Sequence, residues 1–281
     1  MILDEKKLTA LIEKVEGIPP FCLEKFLDKA INKKVDIPQE SDKRKEFISK
    51  LLQSFNTRNL VDIRRLSWLT SLNSPFLPYL IQAEHEPNFL DLNGGTFQAA
   101  DFLEQHRIHV SGYIQSFKLT DESILITIEF RSRSPYYRSI YRGIGLPKRK
   151  VMLIENKDLA MDLFDTLIMP NLYADLKKIP ITARMVRKVA YTLEAESLQF
   201  EISTQTSGVR GLRSITLHGE NVLQGIESVK SRHELEFFFD ELGPWTSVST
   251  QFFAITIQRG IDLLKISSDG FEMLGGILAK K

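Results

Sequence analysis

The chain has 281 residues, 43% of them hydrophobic and 26% charged, which is the composition of a folded protein with room for more than one core and excludes disordered or fibrous classes. With 37 basic and 36 acidic residues the net charge is +1, which argues against a general nucleic-acid binder. Cys22 is the single cysteine, so an internal disulfide framework and a cysteine-rich zinc site are excluded, and no apolar run approaches the roughly 18 residues that cross a bilayer.

The opening "MILDEKKLTALIEK" carries charges where a signal peptide has its apolar segment, so a cytoplasmic protein without a membrane span is expected. Leu8, Leu11, Ile12 and Val15 follow the i, i+3, i+4, i+7 rule of an amphipathic helix. Leu23, Phe26, Leu27, Ala30 and Ile31 repeat it after Pro20, a residue suited to a first helical turn. "ESDKRKEFISKLLQSF" predicts a third helix with Phe47, Ile48, Leu51, Leu52 and Phe55 on one face, and "RNLVDIRRLSWLTSL" a fourth. "SPFLPYLIQAE", opening on Ser74-Pro75, predicts a fifth, and Thr96 after "LDLNGG" is a candidate cap for a short helix through Phe102 and Leu103. Residues 1–107 are therefore expected as a helical domain.

Near residue 108 the period changes from helical to alternating. "SILITIEF" places Ile124, Ile126, Ile128 and Phe130 on one face, and "TDES" before it is turn chemistry, so a hairpin is predicted. "KVMLI" predicts another strand, and "NKDLAMDLFDTLIMP" a helix stopped by Pro170. Residues 108–180 are expected as a small α+β domain. From Pro180 onward six strand-like runs follow, at 188–194, 198–203, 212–218, 233–239, 246–257 and 261–266, with a helix in "GFEMLGGILAKK". The fold class expected is α+β multidomain, with a six-stranded β-barrel and terminal helix over 181–281.

Catalytic signatures are scarce. The sequence has no G-x-x-x-x-G-K-[ST] loop, no G-x-G-x-x-G, no G-x-S-x-G and no H-E-x-x-H, so a non-enzymatic protein without a metal is expected. His106 and His109 at i, i+3 on an incipient strand point to opposite faces. The densest cationic stretch is "RSRSPYYRSIYRGIGLPKRK", with Arg131, Arg133, Arg138, Arg142, Lys148, Arg149 and Lys150 among tyrosines and no acid. Arginine forks grip phosphate and tyrosine faces stack on bases, so residues 131–150 form a candidate secondary anion patch and an alternative nucleic-acid surface. The other reading of this stretch is a solvated loop.

A second cluster, Arg184, Arg187 and Lys188, lies just before the run of strands. Arg184 and Lys188 have the spacing R-x-x-x-R with lysine in the second place, directly ahead of a barrel-like segment of about a hundred residues. "QTSGVRG" then puts Gln205, Ser207 and Arg210 at the three positions of [D/N]-x-S-x-x-G, of which only the serine matches. This arrangement resembles the PilZ domain, a receptor for the bacterial second messenger cyclic di-GMP, and in particular the flagellar-brake type. The resemblance implies a regulatory protein whose ligand, cyclic di-GMP, is clamped by Arg184, Arg187 and Lys188. It further implies that Gln205, Ser207 and Gly208 meet a guanine edge. Because lysine lacks the planar fork of arginine, an alternative is an interaction scaffold with a degenerate barrel that meets a protein partner through the helical residues 1–107.

Overall fold

The structure, a computed structural model, describes residues 5–32, 34–38, 40–92, 94, 96–98, 110–132, 138–202, 214–230, 242–265 and 267–279. It is α+β, and its strands form an open antiparallel sheet. The chain divides into two units, each discontinuous in sequence: unit 1 is Met1–Leu72 with Asn88–Ile144, and unit 2 is Asn73–Pro87 with Gly145–Lys281. The boundaries expected at 107 and 180 do not coincide with these units.

Unit 1 begins with the four predicted helices, α1 (Glu5–Glu16), α2 (Pro20–Ile31), α3 (Ser41–Ser54) and α4 (Thr57–Leu69). Their heptad-like apolar faces meet: Val15, Leu23, Leu27, Ile48, Leu52 and Ile63 are all buried. Asn56 caps α4 by accepting the Asn59 N–H on its side chain at 2.9 Å. The short strand β2 (Thr96–Gln98) stands where Thr96 was expected to cap a helix, and the remainder of that expected helix, through Phe102 and Leu103, lies outside the described residues. β3 (Val110–Lys118) and β4 (Ile124–Ser132) form the predicted hairpin, paired without a break from Val110↔Ser132 to Lys118↔Ile124. β5 (Arg138–Leu146) follows it in the sheet. Within this unit the buried carboxylate of Glu129 accepts a hydrogen bond from Arg65 Nη2 at 2.7 Å.

Cys22 is buried in unit 1 and directs its Sγ–H toward the Lys118 carbonyl at 3.4 Å. Burial pushes its thiol from 9.0 up to about 12, against the opposing pull of the Lys25 charge. The native state therefore holds a proton that the unfolded chain releases near pH 9, so stability from this group is complete below pH 9 and falls as pH rises toward 12. The expected slope is about 1.4 kcal/mol per pH unit across that window. Urea midpoints of the parent and Cys22→Ala measured against pH check this: the parent curve descends more steeply, and equal slopes for the two proteins would refute it.

Unit 2 departs from the sequence reading in two places. "FLPYLIQ", expected within a helix, is strand β1 (Phe76–Gln82). Pro78 has no N–H for a helical i→i−4 bond, whereas in the strand it stands opposite Leu153 and forgoes only one ladder bond on its other side. β1 pairs with β12 (Gly260–Leu263) only at Phe76 and with β7 (Asp175–Lys178) only from Tyr79 onward. The Pro78 carbonyl still accepts the Ile179 N–H at 2.9 Å. On its other side β1 pairs with β6 (Val151–Glu155), a strand buried at every position. Phe76, Tyr79 and Ile81 are buried, each stabilising the unit by about 2 kcal/mol relative to exposure.

The second departure is at 188–194, expected as the first strand of a barrel. "ARMVRKVAYT" is instead a helix, and it closes off the barrel reading together with the sheet order. After α5 (Ala160–Leu167), the predicted helix ahead of Pro170, comes α6 (Ala183–Thr192). Thr182 caps α6, its hydroxyl accepting the Met185 N–H at 3.3 Å, and Val186, Val189 and Ala190 are buried at i, i+3, i+4. β8 (Ser197–Ile202) and β9 (Ser214–His218) match two expected strands, and α7 (Val222–Lys230) follows them. The run 246–257 is two strands rather than one, β10 (Leu242–Ser249) and β11 (Phe253–Thr256). The expected strand at 233–239 lies outside the described residues, and the expected tail helix is α8 (Ser268–Ala279). In unit 2 the strands run in the order β6-β1-β12-β11-β10-β8-β9, with β7 on β1. The ends of this series do not meet, so the sheet is open where a closed six-stranded barrel was expected.

Candidate functional site

The helical form of α6 rearranges the cationic cluster. Arg184, Arg187, Lys188 and Tyr191 fall at i, i+3, i+4 and i+7, one stripe along the face opposite the buried valines. α6 lies against β10, and Arg184, Arg187 and Tyr191 remain exposed. Trp245 of β10 lies beneath the stripe. Its ring stacks against Tyr191 at 5.8 Å between centroids and 25° between planes, and the Arg187 guanidinium stands 5.5 Å from its centroid. Phe200 of β8 meets the same indole edge-on at 5.5 Å.

The parts of this arrangement have different chemical capacities. The cation–π contact is worth about 0.5–1 kcal/mol at an exposed site and orients the Arg187 side chain without using its N–H groups. Among the described residues neither Arg184 nor Arg187 donates to a carboxylate, so both forks are available to an anion. Tyr191 is 68% exposed, with its outer ring face open to stacking. Lys188, by contrast, is half-buried and donates from Nζ to the Ile277 carbonyl at 3.3 Å, which satisfies one of the last carbonyls of α8. It ties two helices of unit 2 together, and one of its three N–H donors is thereby already engaged. Gln205, Ser207 and Gly208 lie outside the described residues.

The stretch 131–150 is divided between the two units. Arg131 lies in β4 opposite Ser111, Arg138 opens β5, and Arg133 lies outside the described residues. Arg142 is buried: Nε donates to the Leu69 carbonyl at 3.0 Å and Nη2 to the Trp68 carbonyl at 2.6 Å, capping the C-terminal end of α4. This arginine holds unit 1 together. Lys148, Arg149 and Lys150 belong to unit 2, in and after the 3₁₀ turn Pro147–Arg149. Lys150 Nζ donates to the Ala83 carbonyl at 2.6 Å, and Arg149 pairs with Glu272 at 3.3 Å.

Among the described residues no group of three or more His, Cys, Asp or Glu is placed to hold a metal ion, and no helix is long and apolar enough to cross a membrane. Sequence reasoning missed Tyr191 and Trp245. Tyr191 was legible once the helical period was applied from Thr182 onward, but Trp245 meets it only through the pairing of β10 with β8. The sequence matches no family model and no curated protein.

Proposed function

We propose that the chain is a non-catalytic regulatory protein that binds a nucleotide on the exposed face of α6. The observation that carries this reading is the stripe Arg184–Arg187–Tyr191 braced by Trp245: two guanidinium forks at helical spacing, next to an open aromatic face on a rigid support. Phosphate oxygens accept from Arg184 and Arg187, and a base stacks on Tyr191. Cyclic di-GMP, the ligand implied by the PilZ resemblance, supplies two phosphates and two purines and heads the panel, although the reading requires no barrel.

Titration calorimetry of the parent and an Arg184→Ala, Arg187→Ala double variant against cyclic di-GMP and linear nucleotides tests it. The expected outcome is a parent that binds one of them and a double variant weakened by about a hundredfold, two forks at about 1.4 kcal/mol each. Both side chains are exposed, so thermal stability is expected to change little. Identical responses of the two proteins at millimolar ligand would sink the proposal.

A further inference from the structure

α6 carries its charges against its own dipole. Arg184 is its second residue, Arg187 and Lys188 follow within the next turn, and no acidic residue lies anywhere in the helix. The last turn, where a cation is favoured, holds no basic residue. The Arg184 guanidinium therefore adds to the positive end of the helix instead of offsetting the negative one. A cation so placed is stabilised when an anion joins it.

The strand beneath the stripe is irregular at the residue that supports it. The pairing of β10 with β8 slips between Leu242 and Trp245 and again between Trp245 and Ser247, so the register is broken on both sides of the indole. Pro244 falls in the first slip, where a sheet admits proline. Such irregularities bend a strand, re-aim a side chain and concentrate next to functional sites. Trp245, so turned, meets Phe200, its partner in register, edge-on and also contacts Arg187 and Tyr191.

These features set an order of groups along α6. At about 1.5 Å per residue, Arg184 and Arg187 stand about 4.5 Å apart along the axis, and Tyr191 about 6 Å beyond Arg187. At the C-terminal end one ring face is open, because the indole covers the inner face of Tyr191 and is itself half-buried. Toward the N-terminal end two guanidinium forks follow within a single turn. A ligand that matches this order has one base and, at one end of it, phosphate groups in direct succession. A cyclic dinucleotide instead sets each phosphate between two nucleosides and brings two bases to one platform. Resting on the nucleotide reading of α6, we infer that its ligand is a nucleoside 5′-diphosphate or higher phosphate, with the base on Tyr191, the first phosphate on Arg187 and the next on Arg184.

Trp68→Phe leaves Trp245 as the chain's single tryptophan, so emission in that background reports binding at α6 itself. The probes are the mono- and diphosphates of adenosine and guanosine, cyclic di-GMP and inorganic pyrophosphate. A diphosphate is expected to move the Trp245 emission and to bind about tenfold or more tightly than its monophosphate, than pyrophosphate and than cyclic di-GMP. Arg184→Gln is expected to bring the diphosphate down to the affinity of the monophosphate, while the monophosphate itself changes by less than about twofold. Arg187→Gln is expected to weaken both by about tenfold or more. Tyr191→Ala is expected to reduce the diphosphate to the level of pyrophosphate and Tyr191→Phe to retain it, since the ring does the stacking. The inference is overturned if a monophosphate, pyrophosphate or cyclic di-GMP binds as tightly as the diphosphates, or if Arg184→Gln leaves the ratio of diphosphate to monophosphate affinity unchanged. It is also overturned if calorimetry detects binding that leaves the Trp245 emission unmoved. Nucleotide binding that still needs both arginines in any of these cases keeps the broader reading of α6 and removes only the diphosphate. If no probe binds at millimolar concentration, the two fall together.

Discussion

Gly260→Ala is expected to unfold unit 2 at a urea concentration well below the parental midpoint, with a loss of about 3 kcal/mol or more. Gly260 holds φ at +110°, and a Cβ built on it would lie 2.4 Å from the Phe76 carbonyl oxygen. That oxygen has nowhere to go. Phe76 is fully buried and paired on both sides, with Ile261 of β12 and with Glu155 of β6. The clash is backbone against side-chain root, so no rotamer change relieves it, and the unfavourable φ adds to it. An alanine variant within about 0.5 kcal/mol of the parent, the range of ordinary surface changes, would contradict the described approach of β12 to β1.

The second large effect is expected at Arg142. Arg142→Ala removes two charge-assisted hydrogen bonds and leaves the Trp68 and Leu69 carbonyls at the end of α4 without this donor, at a cost of about 3 kcal/mol. Arg142→Lys is expected to recover little of the loss, because an ammonium is a point donor and cannot span two carbonyls as the fork does. Chemical denaturation of the parent, both Arg142 variants and Arg184→Ala makes the comparison, with Arg184→Ala expected within about 0.5 kcal/mol of the parent. The result would place Arg142 with the structural residues. If Arg142→Ala were as stable as Arg184→Ala, the capping role would be wrong and the arginine would return to the list of ligand-binding candidates.

The parts of the fold legible in the sequence were those whose period is unambiguous over several turns. The helices of unit 1, the β3–β4 hairpin, α5 and α8 all follow from spacing of apolar residues with caps or breakers at their ends. β1 was misread because Ser74-Pro75 is good helix-start chemistry and a short apolar run carries no period of its own; its partners β6, β7 and β12 are all distant in sequence. α6 was misread for the opposite reason. Val189, Tyr191 and Leu193 alternate like a strand, but Val186, Val189 and Ala190 satisfy the helical period as well, and the Thr182 cap with the packing onto β10 decides between them. Arg184, Arg187 and Lys188 were therefore found as a cluster without their geometry. That Lys188 is engaged by α8, and that Arg142 closes α4, depends on contacts 89 and 73 residues apart that no local pattern encodes.

β1 also has a history on the ribosome. Its neighbour β6 begins at Val151, so after Gln82 is made the nascent chain must grow by roughly 70 residues, about 4–14 s of translation, before that partner strand exists. Throughout that interval "FLPYLIQ" is an apolar segment of strand-forming residues with nothing to pair with, the kind that joins edge to edge with other chains. Pro78 interrupts the row of N–H donors in its middle. In the finished sheet Pro78 lies opposite Ile179, whose N–H its carbonyl accepts while it has no N–H to donate back, so one residue guards the growing chain against premature association at the cost of a single ladder bond.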